Sequence, residues 1–171
     1  YALPSDASYQ VPTIYKSIDG GDNWAATTGQ PTAGWANQQA WYDLAVDIDG
    51  SGNVIVGGLE TYRSTDGGTS WGKIANWVGL AGQYLHADIH HIKMYGSNRV
   101  LFGCDGGIFY SSDGGTTIRD RNAGLRLKQF FSCAIHPSTT NYFLAGAQDN
   151  GSHQLTTAGL GASVEVTGGD G

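Results

Sequence analysis

Basic clusters, long apolar runs and proline are what this chain has least of. Its 171 residues include 4 prolines, 1 methionine and 2 cysteines, and only 14% are charged. Nine Lys and Arg face fifteen Asp and Glu, for a formal net charge of −6, and no basic cluster breaks the pattern. Such a surface does not neutralise a phosphate backbone, so nucleic acid is excluded as a partner. No apolar stretch reaches the roughly 18 residues that a membrane-spanning helix needs, so no transmembrane segment is expected. Cys104 and Cys133 stand far apart without metal-ligand spacing and read as free, buried thiols. Glycine and aromatics are plentiful instead, with 27 Gly, 5 Trp and 9 Tyr. This turn-rich, aromatic-rich profile belongs to an all-β protein and not to a disordered one.

One octapeptide organises the chain. Ser17-Ile18-Asp19-Gly20-Gly21-Asp22-Asn23-Trp24 returns as Ser64-Thr65-Asp66-Gly67-Gly68-Thr69-Ser70-Trp71, and again as Ser111-Ser112-Asp113-Gly114-Gly115-Thr116-Thr117-Ile118. The copies start 47 residues apart both times, and a constant period of this size marks a propeller, solenoid or array. Each copy lies between two short strand-like runs, so it reads as a hairpin turn. The aspartate accepts hydrogen bonds from N–H groups just ahead of it, and the Gly pair supplies positive φ without a Cβ clash.

The motif resembles the Asp box of sialidase-type (BNR) repeats and of sortilin-like (VPS10) propellers. In those families the box is a folding device: Ser17, Asp19, Gly21 and Trp24, Ser64, Asp66, Gly68 and Trp71, and Ser111, Asp113 and Gly115 are therefore assigned structural roles, with Ile118 in place of the third Trp. A second repeat lies upstream of the boxes, as strand-like runs at 39–47, 87–94 and 128–136. Each unit of about 45 residues then reads as four antiparallel strands, which is a propeller blade. The expected division is an incomplete blade at 1–28, blades at 40–78, 85–122 and 128–167, and the start of another at 168–171. About three and a half blades leave open edges, so the chain is expected to be part of a larger propeller. Its open edges would be covered by the remaining blades or by a partner protein.

From residue 85 onward the likeness is closer to large secreted or surface-exposed BNR-repeat proteins of bacteria. His86-Ala87-Asp88-Ile89-His90, Gly103-Cys104-Asp105-Gly106-Gly107, Gly146-Ala147-Gln148-Asp149-Asn150-Gly151 and Gly168-Gly169-Asp170-Gly171 carry it. Xyloglucan-cleaving glycoside hydrolases and the photosystem II assembly factor family are related propellers. The resemblance implies an exported, extracellular or cell-surface protein acting as a non-catalytic binding or scaffold module for carbohydrate or protein. The alternative it implies is a xyloglucanase-like glycoside hydrolase.

Propeller geometry places one polar set on a common rim of the channel: His86, Asp88, His90, Asp105, Gln148, Asp149, Asn150 and Asp170. Three chemistries suit it. His86, Asp88 and His90, alternating along a strand, can ligate a divalent metal. Asp88, Asp105, Asp149 and Asp170 can include a carboxylate pair for glycoside cleavage. The whole set can equally be a hydrogen-bonded rim that satisfies loop backbone. Separately, Asp47, Asp49, Ser51 and Asn53 copy the first half of a calcium loop without its final Glu, a site for Ca2+ or simply a hairpin turn. No cofactor is required for the binding-module reading, and Ca2+ is the one candidate. Trp35, Trp41, Tyr42, Trp77 and Tyr84 fall near the same loops, where aromatics either stack on sugars or pack blades together.

Overall fold

The computed structural model describes residues 1–78, 82–125, 128–157 and 161–171. Residues 158–160, inside the range expected for the last full blade, lie outside the described residues. The chain forms two compact units, Tyr1–Ala123 and Gly124–Gly171, and no helix occurs among the described residues.

In the first unit, a two-stranded sheet pairs β1 (Tyr15–Lys16) with β2 (Ala25–Ala26), and Ala2 bridges to Tyr15. A second sheet follows as β3 (Ala45–Ile48), β4 (Val54–Gly57), β5 (Thr61–Ser64) and β6 (Gly72–Ala75). A third runs β7 (Ile89–Tyr95), β8 (Arg99–Cys104), β9 (Gly107–Ser111) and β10 (Arg119–Asp120). The second unit is one sheet: β11 (Phe130–Ile135), β12 (Phe143–Ala147), β13 (Ser152–Leu155) and β14 (Val164–Thr167). Each four-stranded sheet is an antiparallel meander whose spatial order follows the sequence. That is the topology of propeller blades, and the fold is a partial β-propeller.

Burial explains why the inner strands read as β-branched runs. Val54, Ile55 and Val56 in β4 are fully buried, one face toward each neighbouring sheet. Ile55 joins Ile89, Ile92, Met94, Val100, Phe102 and Phe109 in one cluster, while Val54 and Val56 join Val11, Ile14, Trp35 and Tyr62 in another. The second and third sheets approach closely at Gly57, where a Cβ would lie 2.7 Å from Ile89 Cγ2. A backbone hydrogen bond from Ile89 N–H to Gly58 C=O (3.0 Å) locks that approach.

The three repeated turns share one hydrogen-bond scheme. In the second, Ser64 Oγ donates to Asp66 Oδ1 (2.8 Å) and accepts from Gly68 N–H (2.8 Å). Asp66 accepts from Ser70 N–H (2.9 Å) and Ser70 Oγ (2.6 Å). Ser17, Asp19, Gly21 and Asn23 repeat it in the first turn, and Ser111, Asp113, Gly115 and Thr117 in the third. Both glycines of every pair have positive φ, between 70° and 104°.

The turns also join sheets. Gly29 N–H donates to Gly68 C=O (2.9 Å) and Trp71 Nε1 donates to Gly29 C=O (3.1 Å), tying the second turn to the first sheet. Arg63 donates to Gly114 C=O (2.7 Å) and Gln83 to Gly115 C=O (3.0 Å), tying the third turn to the second sheet. The tryptophans that close the first two turns are used differently. Trp24 is about half exposed and donates Nε1 to Gly21 C=O (2.9 Å), whereas Trp71 serves the neighbouring sheet.

Candidate functional site

The strand starts decide where chemistry gathers. In the first unit Asp43 stands just before β3, Asp88 just before β7, and Asp105 in the turn after β8. Asp43 is fully buried, Asp88 is 7% exposed and Asp105 half-buried. Asp88 and Asp105 bring carboxylate oxygens within 4.8 Å of one another. Asp43 faces Asp88 carboxylate to carboxylate, close enough for the pair to share a proton. Burial, then the charge of Asp88, raises the Asp43 carboxyl well above the ordinary carboxylate range. Burial and the charge of Asp105 raise Asp88 as well, although His86 and Gln39 act in the opposite direction.

The rest of the cluster holds these groups in place. Gln39 Nε2 donates to Asp88 Oδ1 (3.2 Å). Tyr42 Oη donates to Asp105 Oδ2 (2.9 Å), and His90 Nε2 lies 2.7 Å from Asp105 Oδ1. Tyr42 also meets the His90 ring edge to face at 4.8 Å, and Trp41 lies beside Tyr42 at 5.5 Å. Trp41 is the most exposed of these, at 68%. Cys104, next to Asp105, has its thiol pushed up to about 12 by burial, so it is an inert side chain.

The alternating His86-Asp88-His90 face expected from the sequence does not form. Asp88 adopts φ 62°, in the left-handed region, and β7 begins only at Ile89 with a bulge between Ile89 and His91. The three side chains therefore diverge. Asp88 turns inward, His90 bonds Asp105, and His86 packs beside Gly106 and against Tyr84, at 6.4 Å between rings.

In the second unit Gln148, Asp149, Asn150 and Asp170 are held by bonds within that unit. Asp149 N–H donates to Asp170 Oδ1 (3.0 Å), and Asn150 Nδ2 donates to Gln148 C=O (2.9 Å). Gly171 N–H donates to Ala147 C=O (3.0 Å). That bond repeats the Ile89–Gly58 bond of the first unit, so Asp170 stands before Gly171 as Asp88 stands before Ile89.

Of the calcium-loop candidate, Asp49, Ser51 and Asn53 stay together in the hairpin turn and Asp47 is drawn away. Asp47 accepts from Met94 N–H (2.7 Å) and pairs with Lys93 (3.2 Å), pinning β3 to β7. Asp49 accepts from the amides of Ser51 (2.8 Å) and Asn53 (2.9 Å) and from Asn53 Nδ2 (2.5 Å), which makes it the cap of its own hairpin. Of the aromatics, Trp35 is core, 2% exposed and edge-on to Tyr62 at 6.5 Å. Trp77 and Tyr84 are partly exposed. Both cysteines are free, but Cys133 is exposed and not buried.

Asp43 is the residue that the sequence reading passed over. Its signal was present: Asp43-Leu44-Ala45 and Asp88-Ile89-His90 hold the same place in consecutive repeats, 45 residues apart.

Strand order and the carboxylates at successive strand starts define the class as a β-propeller. The chain matches no protein-family model and no curated protein sequence. Among solved structures it is similar to YCF48 bound to D1 peptide, with TM-score 0.49 and 18% identity over 91% of this chain and 48% of that one. It is also similar to an ancestral GH74 enzyme, with TM-score 0.44 and 21% identity over 86% and 20%. The GH74 enzyme of Niastella koreensis gives TM-score 0.43 and 17% identity over 91% and 26%. The chain thus spans about half the length of the YCF48 structure, and about a fifth and a quarter of the two GH74 enzymes.

Proposed function

We propose that this chain is a non-catalytic binding module, and that its ligand meets the first unit at the Trp41–Tyr42–His90–Asp105 rim. The observation that carries the proposal is how the carboxylates are held. Asp43 and Asp88 are withdrawn from solvent, and both Asp105 oxygens already accept hydrogen bonds. The exposed Trp41 face beside polar acceptors suits a sugar ring or a basic peptide side chain instead.

The test is a xyloglucan hydrolysis assay run beside a titration of Trp41 fluorescence with xyloglucan oligosaccharides and with Lys/Arg peptides. No hydrolysis is expected, together with saturable quenching that Trp41→Ala removes. Hydrolysis that Asp88→Asn or Asp105→Asn abolishes would establish the glycoside hydrolase reading.

The same proposal includes membership of the Asp-box, sortilin-like (BNR) propellers, supported by the shared scheme of the three turns, and an exported, cell-surface setting. It also includes a covering sheet for the second unit. In the first unit, Ile55 and Gly57 receive Ile89 and Ile92 from the next sheet. Leu144 and Gly146 hold the same places in β12, yet Leu144 is 41% exposed, and a cleft lined by Ala134, Leu144, Gly146 and Val166 lies over them. A further four-stranded sheet with aliphatic residues at the Ile89 and Ile92 positions fits this face. Residues 1–171 alone should bind an apolar dye that a longer chain carrying the next sheet does not. Equal dye binding by both would count against the covering sheet.

A further inference from the structure

We propose that Ser163 in the second unit is a nucleophile activated by His153, and that it takes acyl groups from activated esters. The place of His153 in its sheet is what singles it out. His153 stands opposite Ala145 in β12, next to the Ser152–Gly146 pair. In the same register Tyr62 stands opposite Val56, next to Thr61–Gly57, and Phe109 opposite Phe102, next to Ile108–Gly103. The second and third sheets thus fill this position with an aromatic ring of the core. The second unit fills it with an imidazole that is 6% exposed. Burying that ring costs free energy unless its nitrogens are paired, and both are.

The partners fix the tautomer. Nε2 lies 2.7 Å from the Asn150 C=O, which can only accept, so Nε2 carries the proton of the neutral ring. Nδ1 then offers a lone pair, and Ser163 Oγ, 3.0 Å away, donates to it. A serine hydroxyl donating to an imidazole whose far side is held by a third group is the arrangement of an activated nucleophile. Ser163 is exposed, just ahead of β14, so an acyl donor can approach it from solvent. Phe130 meets the imidazole edge to face at 6.4 Å and is itself 46% exposed, an apolar surface beside the base. That surface suits an aryl ester.

In the reaction Ser163 Oγ attacks the ester carbonyl carbon as its proton passes to His153 Nδ1, and the departing aryloxide takes that proton. Water then attacks the acyl carbon and gives a proton to Nδ1. The acid leaves, and the proton returns to Ser163 Oγ. A good leaving group lessens the need for donors at the developing oxyanion, which is why activated esters are the class. This inference concerns the second unit and does not rest on the binding rim of the first.

The test is release of p-nitrophenol from p-nitrophenyl acetate by the full chain, by Ser163→Ala and by His153→Gln, with thermal melting of each. Both variants should lower release by about tenfold or more, down to the background set by surface amines. Release unchanged in Ser163→Ala would overturn the proposal and leave the pair a hydrogen-bonded strap between β13 and the start of β14. Release unchanged in His153→Gln would overturn it too, because the serine would then need no base. Ser163 is exposed, so its alanine variant should melt as the parent chain does, and it decides alone where the buried His153→Gln fails to fold.

Discussion

Phe102→Ala is expected to lower stability by about 3–5 kcal/mol, the usual cost of removing a buried aromatic ring. Phe102 is the largest fully buried side chain, at the centre of β8, paired across the sheet with Ile92 and Phe109. Its ring belongs to the cluster that joins the second and third sheets through Ile55, Ile89 and Ala75. The loss therefore falls on the contact between sheets as well as within one. Neighbouring strands are held by ladder hydrogen bonds and cannot collapse into the space, so the cavity persists. Thermal melting should fall by roughly 6–20 °C, at about 2–4 °C per kcal/mol for a chain of this size. A drop of only one or two degrees would show that the sheets repack freely.

Ser64→Ala should destabilise by about 1–3 kcal/mol through one buried, unpaired amide. The Ser64 hydroxyl is buried and accepts from Gly68 N–H, itself buried where the turn meets the first sheet. Alanine leaves that amide without a partner and frees Asp66 from one of its donors. Ligand binding at the rim should not change in the folded fraction, because the turn lies on another part of the unit. The same turn predicts an acid effect. Hydrogen bonds from Ser70 Oγ, Ser70 N–H and Ser64 Oγ hold the Asp66 carboxyl down, from 3.8 to about 2, and the Asn23 amide and side chain lead the same effect at Asp19, also to about 2. A carboxyl depressed on folding stabilises the fold above its unfolded value and loses that contribution as pH falls through its folded value. The contribution of the turns should thus be complete above about pH 5 and lost progressively as pH falls through about 2. Urea unfolding across that window checks it: Asp66→Asn should flatten the pH dependence, and an unchanged slope would contradict the assignment.

How much of this was legible in the sequence depended on the range of the interaction. The Ser-Asp-Gly-Gly turns are local. Every donor and acceptor in the second one lies between Ser64 and Ser70, so residue types alone imply its geometry, and its recurrence implies repeated four-stranded sheets. The unbroken β-branched run in β4 likewise announces a strand covered on both faces.

The cluster of carboxylates was legible only in part. Asp88 and Asp105 were singled out because they sit in loops beside strands. The regular alternation that should have aligned His86, Asp88 and His90 failed, because Asp88 left extended geometry and β7 took a bulge. A backbone φ of 62° at a non-glycine residue depends on what its surroundings enforce, and nothing in the local sequence states it. Asp43 was missed for a related reason: in one dimension it is an ordinary acidic residue before a strand. Asp47 shows the converse, since its place in a calcium-like series gave way to Lys93 and Met94 of the next sheet.

Taken alone, then, the amino-acid order determined the repeat, the turns, the strand count and the β-propeller class, because each rests on contacts a few residues apart. Only the packing of one sheet on the next decided which carboxylates are buried, which are paired, and that Asp43 meets Asp88. Desolvation and charge–charge repulsion act through space, and the groups responsible lie 45 residues apart along the chain.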